Sequence, residues 1–298
     1  MEKRDDADLP SIDWGRADML IELALNEDLD TVGDVTTNSI IPEDMEGRAV
    51  LRCKTDGTVV AGLAIAERVF KLVEPRLEFK TFIEDGESCN AGDEIAAVEG
   101  PVRGILTGER TALNFLQRLS GIATTTNRYV QALGDSKTQL LDTRKTTPGY
   151  RNLEKYAVAV GGGANHRMGL YDRVMIKDNH RELAAMEGPG SIARSVNRVR
   201  EMFPGLEVEV EADRLEEVAE AADAGAEYIL LDNMTDEMMA EAVKMVHGRS
   251  KLEASGGITL TRLPAIGKIG VDFVSSGALT HSVKSADISL DIVAEESR

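Results

Sequence analysis

Residues 206–232 read LEVEVEADRLEEVAEAADAGAEYILLD. The first six alternate apolar and acidic side chains, which is the two-residue period of a strand. An amphipathic helical stretch follows over Asp213–Asp223, and YILLD (228–232) closes the segment as a second strand. Strand, helix and strand in so short a span make a βαβ unit with parallel strands. Working outward, the rhythm recurs. Short apolar runs stand at TQLLD (138–142), RVMIK (173–177), KLEAS (251–255) and VDFVSS (271–276), with another amphipathic helix over Asp236–Val246. Six strands over about 140 residues, joined by helical crossovers, imply a parallel sheet, open or closed into a barrel. Their even spacing and the lack of a GxGxxG turn favour a (β/α) barrel over a dinucleotide-binding fold.

The chain before this region has a different texture. Residues 1–13 are polar and acidic and are expected to be frayed. Ala17, Leu20, Ile21, Ala24 and Leu25 recur at helical spacing between Arg16 and Asp28. Then come β-type runs AVLRCK (49–54), GTVVAG (57–62), LEFKTFI (77–83) and EIAAVEG (94–100), separated by Asp56-Gly57, Asp85-Gly86 and Gly92-Asp93 turns. One helix, Leu63–Val73, interrupts them, so this part reads as an α+β unit. A long helical pattern from Gly104 to Leu133 leads out of it, with Gly121 as the point where it would break.

Composition narrows the function. The 298 residues include 34 Lys and Arg against 52 Asp and Glu, a net charge of −18, with 42% hydrophobic and 29% charged residues. The mix is that of a globular protein. So negative a surface repels phosphates, which argues against nucleic-acid and anionic-membrane partners. No apolar run approaches the ~18 residues of a membrane span. The charged opening MEKRDDADLPSIDW lacks an apolar signal core, so a cytoplasmic location is expected. Cys53 and Cys89 lie far apart in sequence, without a CxxC, and read as reduced thiols.

In a parallel barrel, chemistry gathers where strands end. Those edges carry Asp142-Thr143-Arg144-Lys145, Lys177-Asp178-Asn179-His180, Glu211, Asp232-Asn233, Ser255-Gly256-Gly257 and Ser275-Ser276-Gly277. Between Asp142 and Arg181 eight Lys and Arg face four acids, a basic island in an acidic chain, which calls for an anionic partner. Arg151, Lys155, Arg173 and Arg181 are expected on solvated helix faces, paired with acids. Arg144, Lys145, Arg167 and Lys177, at or near strand edges, are the candidates for the site. Arginine suits a planar carboxylate, and lysine serves as a mobile point charge. Glu211 and Asp232 end consecutive strands. Their hard oxygens suit Mg²⁺, which completes its shell with water and substrate phosphates, unless both acids are paired with the nearby cations. The glycine-rich edges at 255–257 and 276–277 present backbone N–H groups, and helices follow, as in the phosphate site of a barrel's last loops. Gly161-Gly162-Gly163 is not followed by GK[ST] and is no P-loop. A substrate pair combining carboxylates with phosphates satisfies these features.

The segments ERTALNFLQRLSGIAT (109–124), DTRKTTPGYRNLEKYAV (142–158), GGGANHRMGLYDRVMIKDNH (161–180), VEVE (208–211), LDN (231–233), EASGGI (253–258) and GALTHS (277–282) together resemble the quinolinate phosphoribosyltransferase family. EDLDTVGDVTT (27–37) is similar to the family's opening, with Asp30 where glycine is usual. The resemblance implies an α/β fold: an N-terminal α/β sandwich domain (1–120, with 279–298 packing back on it), then an incomplete (β/α) barrel of six or seven parallel strands (121–278). It implies transfer of phosphoribosyl from phosphoribosyl pyrophosphate to quinolinate, with loss of CO₂, in NAD biosynthesis. Thr143, Arg144, His166, Arg167 and Lys177 would then surround the quinolinate carboxylates, and Lys145 would approach the pyrophosphate. Glu211 and Asp232 would hold the ribose hydroxyls and Mg²⁺. Ser255, Gly256 and Gly257, with Ser276, Gly277 and Ala278, would cradle the 5′-phosphate. Arg110 would reach into a neighbouring subunit's pocket in a homodimer with shared active sites, a hexamer-of-dimers type of assembly being the larger alternative. The rivals are a nicotinate phosphoribosyltransferase, which would leave one of three cations unpaired, and a catalytically silent homologue, against which the retained charges argue.

Overall fold

The computed structural model describes residues 9–293. The first eight residues of the segment expected to be frayed lie outside the described residues. In chain order the elements are α1 (Trp14–Leu29), α2 (Val35–Ile40), β1 (Glu46–Cys53), β2 (Thr58–Val59), α3 (Leu63–Val73), β3 (Glu78–Thr81), β4 (Ser88–Cys89), β5 (Glu94–Pro101) and α4 (Val102–Leu133). They continue with β6 (Gln139–Leu141), α5 (Arg151–Val160), β7 (Val174–Ile176), α6 (Asp178–Ala185), α7 (Ser191–Met202), β8 (Val208–Ala212), α8 (Leu215–Asp223) and β9 (Tyr228–Asp232). The last are α9 (Asp236–Val246), β10 (Lys251–Ser255), α10 (Leu263–Ile269), β11 (Phe273–Ser275), α11 (Ala278–His281) and β12 (Ile288–Val293).

The chain forms two compact units, both discontinuous. One gathers residues through Asn127, Thr146–Gly162 and residues from Leu279 onward; the other gathers Arg128–Lys145 and Gly163–Ala278. In the first unit an antiparallel sheet of order β12-β1-β5-β3 forms around β1, whose Ala49, Val50 and Leu51 are fully buried. Strand β12 joins it through a register from Arg48–Val293 to Cys53–Ile288. Helix α3 turns Leu63, Ile65, Ala66, Val69 and Phe70 into the core. Its first N–H groups, those of Gly62 and Leu63, donate to Asp85 at 2.7 and 3.1 Å, so a distant turn caps it. Asp30 has a φ of 44°, the left-handed region where glycine is unstrained, which accounts for the glycine usual there.

Two expectations are corrected in this unit. Helix α4 does not break at Gly121. A Cβ there would lie 2.3 Å from the Lys284 carbonyl oxygen, so the glycine admits a passing backbone rather than ending the helix. Nor is Lys155 on a solvated face: α5 is buried from Leu153 to Ala159, so it has no polar stripe to place in water. Arg151 is half-buried, its Nε donating to Thr146 Oγ1 at 3.0 Å. Cys53 and Cys89 are buried free thiols, as expected.

The second unit carries six parallel strands in the order β6-β11-β10-β9-β8-β7. From β8 onward each strand pairs with its predecessor in the unit, and the last, β11, also pairs with the first, β6, through Phe273–Gln139, Val274–Leu140 and Ser275–Leu141. A sheet whose last strand returns to its first is a barrel, interrupted here between β6 and β7. A single parallel bridge, Leu141–Ala164, stands at the interruption. The ladder register and the alternation of side chains put Glu209, Glu211, Leu230, Asp232, Glu253 and Ser255 on one face of the sheet. Val208, Val210, Ile229, Leu231, Leu252 and Ala254 take the other face and are buried beneath the helices. Arg181 is buried and paired with Glu217, and Arg173 is half-buried with its guanidinium 4.0 Å over the Tyr228 ring, so neither lies on the solvated face expected. Among the described residues no helix is long and apolar enough to cross a membrane.

Candidate active site

The edge of β6 opens the site. Asp142 is fully buried and its carboxylate accepts the His166 N–H at 2.8 Å and the Asn165 side-chain amide at 2.8 Å. The Ala164 N–H donates to Leu140 O at 2.7 Å, so residues 164–166 are stitched onto β6 where a further strand would lie. This fixes His166 and Arg167, both buried, at the interrupted side of the barrel.

Arg144 and Arg167 are brought together. Burial, and then the neighbouring Arg144 charge, hold the Arg167 guanidinium below its usual pKa, against the nearby Glu209 and Asp172 carboxylates. The Arg167 guanidinium donates to Arg173 O at 2.9 Å and to Met175 Sδ at 3.8 Å. His166 Nδ1 accepts the Arg167 N–H at 2.7 Å, while Nε2 lies 3.1 Å from Glu209 and 3.4 Å from Glu253. Burial favours the neutral ring, while the two carboxylates draw the His166 pKa upward by attracting a proton to Nε2. With Nδ1 already accepting a hydrogen bond, the proton held there lies on the Nε2 side, toward the acids.

Lys177 and Lys145 are exposed, as suits mobile point charges at a mouth. Lys177 caps the start of α6, its N–H accepted by His180 Nδ1 at 3.0 Å, and its ammonium acts on Glu211. The Lys145 N–H donates to Thr143 Oγ1 at 3.0 Å, which ties down the turn after β6.

Glu211 and Asp232 converge from neighbouring strand ends. Burial and then the Asp232 charge raise the Glu211 pKa, against a long contact from the Asp178 N–H at 3.5 Å and the charge of Lys177. Two half-buried carboxylates that repel each other form a hard-oxygen pair fit for a divalent cation that keeps water and substrate oxygens in its shell.

At the phosphate edge, Gly256 has a φ of 85° and a Cβ there would meet Asn233 Oδ1 at 2.1 Å. Asn233, itself at φ 53°, donates from Nδ2 to Asp232 at 2.7 Å and from its backbone to Ser255 O at 3.0 Å. Arg262 buttresses the loop, reaching Met234 O at 3.0 Å, Asp236 at 2.8 Å and Gly256 O at 3.4 Å. Ser276 is buried and its N–H donates to Leu141 O at 3.1 Å; Gly277 follows, and Ala278 starts α11. Helix α10 follows the 255–257 loop, beginning at Leu263. Arg110 belongs to the other unit, exposed on α4.

Residues 34–120 match the N-terminal domain of quinolinate phosphoribosyl transferase and residues 122–291 its C-terminal domain. The chain belongs to this family. It is 45% identical over 267 residues to a probable nicotinate-nucleotide pyrophosphorylase [carboxylating] of Bacillus subtilis, covering 89% of this chain and 90% of that one. It is 44% identical over 292 residues to quinolinate phosphoribosyltransferase [decarboxylating] 2b, mitochondrial, of Nicotiana tabacum, covering 93% and 82%. The crystal structure of NadC from Streptococcus pyogenes superposes with a TM-score of 0.89 at 42% identity, covering 96% of this chain and 100% of that chain. Within this quinolinate phosphoribosyltransferase fold, sequence reasoning placed Asp142 and Asn233 at strand edges without giving either a role, and passed over Glu209, Glu253 and Arg262 as parts of the site. A signal was available for the two glutamates, since each stands two residues before a named site residue and so shares its face of the strand. Arg262, in the loop before α10, carried none.

Proposed function

We propose that this chain joins quinolinate to phosphoribosyl pyrophosphate, releasing pyrophosphate and CO₂ and forming nicotinate mononucleotide for NAD biosynthesis. The observation that carries the reading is that Arg144 and buried Arg167 stand close enough at one strand edge for the first charge to depress the pKa of the second. A planar diacid can meet two such cations at once and matches the fork geometry of arginine.

The residues divide the work. Arg144, Arg167 and Lys177 bind and orient the diacid, with Thr143 and His166 lining its pocket. Lys145 meets the departing pyrophosphate, and Ser255, Gly256, Gly257, Ser276, Gly277 and Ala278 hold the 5′-phosphate. Holding the ring nitrogen in line with the ribose carbon is chiefly a matter of positioning. Glu211 and Asp232 face the ribose hydroxyls and would hold Mg²⁺. When bound, the ion supplies stabilisation of the leaving pyrophosphate's charge. Once the ring nitrogen is alkylated its positive charge stabilises the carbanion left by CO₂, so the substrate provides its own electron sink. Arg110 completes a partner's pocket in a homodimer, and the chain works in the cytoplasm; both belong to the same proposal.

The test is specificity. Nicotinate has one carboxylate and leaves one charged hydrogen bond unmade, worth about 1.5–3 kcal/mol, so kcat/KM should fall about 10- to 150-fold relative to quinolinate. Equal kcat/KM for the two acids would overturn the reading.

A further inference from the structure

Beneath the mouth of the barrel lies a polar layer that the reaction as described does not use. Glu209 and Glu253 are fully buried on β8 and β10, and neither carboxylate accepts a well-formed hydrogen bond among the described residues. Each nevertheless turns an oxygen toward the same atom, His166 Nε2, at 3.1 and 3.4 Å. These three residues come from a loop and two separate strands, and their facing atoms lie within 4.8 Å of one another. Two buried carboxylates are costly unless a proton or a cation lies between them. A metal ion is one solution. Arg173 argues against it, because its guanidinium stands 3.7 Å from Glu209 and already supplies positive charge. A proton on Nε2 is the other solution, and the opposite side of the ring shows which tautomer is present. Nδ1 accepts the Arg167 N–H at 2.7 Å, so it carries no proton of its own.

The ring is therefore a one-way connector. Its Nε2–H points down to the acids and its Nδ1 lone pair points up to Arg167. A second tether runs in parallel. Arg173, drawn toward Glu209, offers its carbonyl to the Arg167 guanidinium at 2.9 Å. Both connections end on Arg167; the first begins at Glu209 and Glu253, the second at Glu209 alone. An acceptor behind a histidine commonly sets which ring nitrogen carries the proton.

We propose that Glu209 and Glu253 are positioning residues: by holding the His166 proton on Nε2 they make Nδ1 the acceptor that aims Arg167 at the diacid. The inference rests on the assignment of Arg167 to the quinolinate carboxylates made above. Glutamine in place of either glutamate keeps the size, but its amide can donate to Nε2. That flips the ring to the Nδ1–H tautomer and sets two N–H groups against each other.

Two measurements test this on the whole enzyme. In wild type, two-bond ¹H–¹⁵N correlation spectra should show His166 with its proton on Nε2 and a bare Nδ1. A ring protonated on Nδ1 would overturn the proposal without any variant. In E209Q, E253Q and the double variant, KM for quinolinate should rise about tenfold, the cost of roughly one misplaced hydrogen bond, with the Nδ1–H signal appearing. KM for phosphoribosyl pyrophosphate should stay within about twofold, which general loosening of the barrel would not spare. An equal rise in both KM values would refute the proposal. So would an unchanged quinolinate KM, or a stoichiometric divalent metal in the purified protein that E209Q removes. Arg167→Met separates the two readings. If it leaves the quinolinate KM unchanged, the diacid assignment has failed. If it raises that KM while the glutamine variants do not, only the positioning role has failed.

Discussion

Replacing Gly256 by alanine tests how the phosphate edge is built. The added methyl would sit 2.1 Å from Asn233 Oδ1 and 2.6 Å from its Cγ, far inside van der Waals contact. Asn233 cannot absorb this freely, because its Nδ2 is bonded to Asp232 at 2.7 Å and its backbone N–H to Ser255 O at 3.0 Å. Two costs follow. The backbone at φ 85° strains any residue with a Cβ by about 1–2 kcal/mol, which reduces stability. Displacement of Asn233 releases a charged hydrogen bond worth about 1.5–3 kcal/mol at Asp232, which reduces binding. KM for phosphoribosyl pyrophosphate should therefore rise about 10- to 150-fold at saturating quinolinate. Gly270→Ala isolates the first cost, since Gly270 has a φ of 91° and nothing within 4 Å of a Cβ. Both variants should lose similar stability in urea unfolding, and only Gly256→Ala should lose affinity. Equal KM values in the two variants would refute the argument that Asn233 links the glycine to Asp232.

Glu211→Ala and Asp232→Ala should each lower turnover about 100- to 1000-fold, the usual loss when charge stabilisation of a transition state is removed. Calorimetry should find quinolinate binding nearly intact, and a parallel loss of binding would contradict their assignment to the ribose and metal. Arg110→Ala mixed and reassociated with Glu211→Ala should recover about a quarter of wild-type activity, because random pairing makes about half the dimers hybrids with one whole site. No recovery, with subunit exchange verified, would rule out a shared site. Arg118→Met should destabilise the first unit by about 3–5 kcal/mol in urea unfolding. It strands Glu154, which is fully buried and takes the Arg118 guanidinium at 2.8 Å. A loss under about 1 kcal/mol would show that Thr147, also bonded to Glu154, suffices alone.

Local periodicity carried most of the element reading. Helices α3 and α9 begin and end where the apolar spacing predicts, and every expected barrel strand is present, β8 running one residue past Glu211 to Ala212. Glu211, Asp232 and Ser255 were legible as strand-edge residues because alternation along a strand assigns a face without reference to any neighbour. The resemblance to the family supplied the chemistry. What the sequence could not determine depended on distant segments meeting. The pairing of β11 with β6, which makes a barrel rather than an open sheet, joins Gln139 to Phe273. Gly121 looked like a helix breaker because Lys284, the group it makes room for, lies far along the chain. Lys155 looked solvated because its helix carries polar residues, yet that helix is enclosed on all sides. His166 is directed by Glu209 and Glu253, and only the wrapped sheet sets those two carboxylates against one ring nitrogen. A one-dimensional pattern records each residue's preference for water or core; the distances that turn a polar residue into a hydrogen-bond partner exist only after the strands have closed.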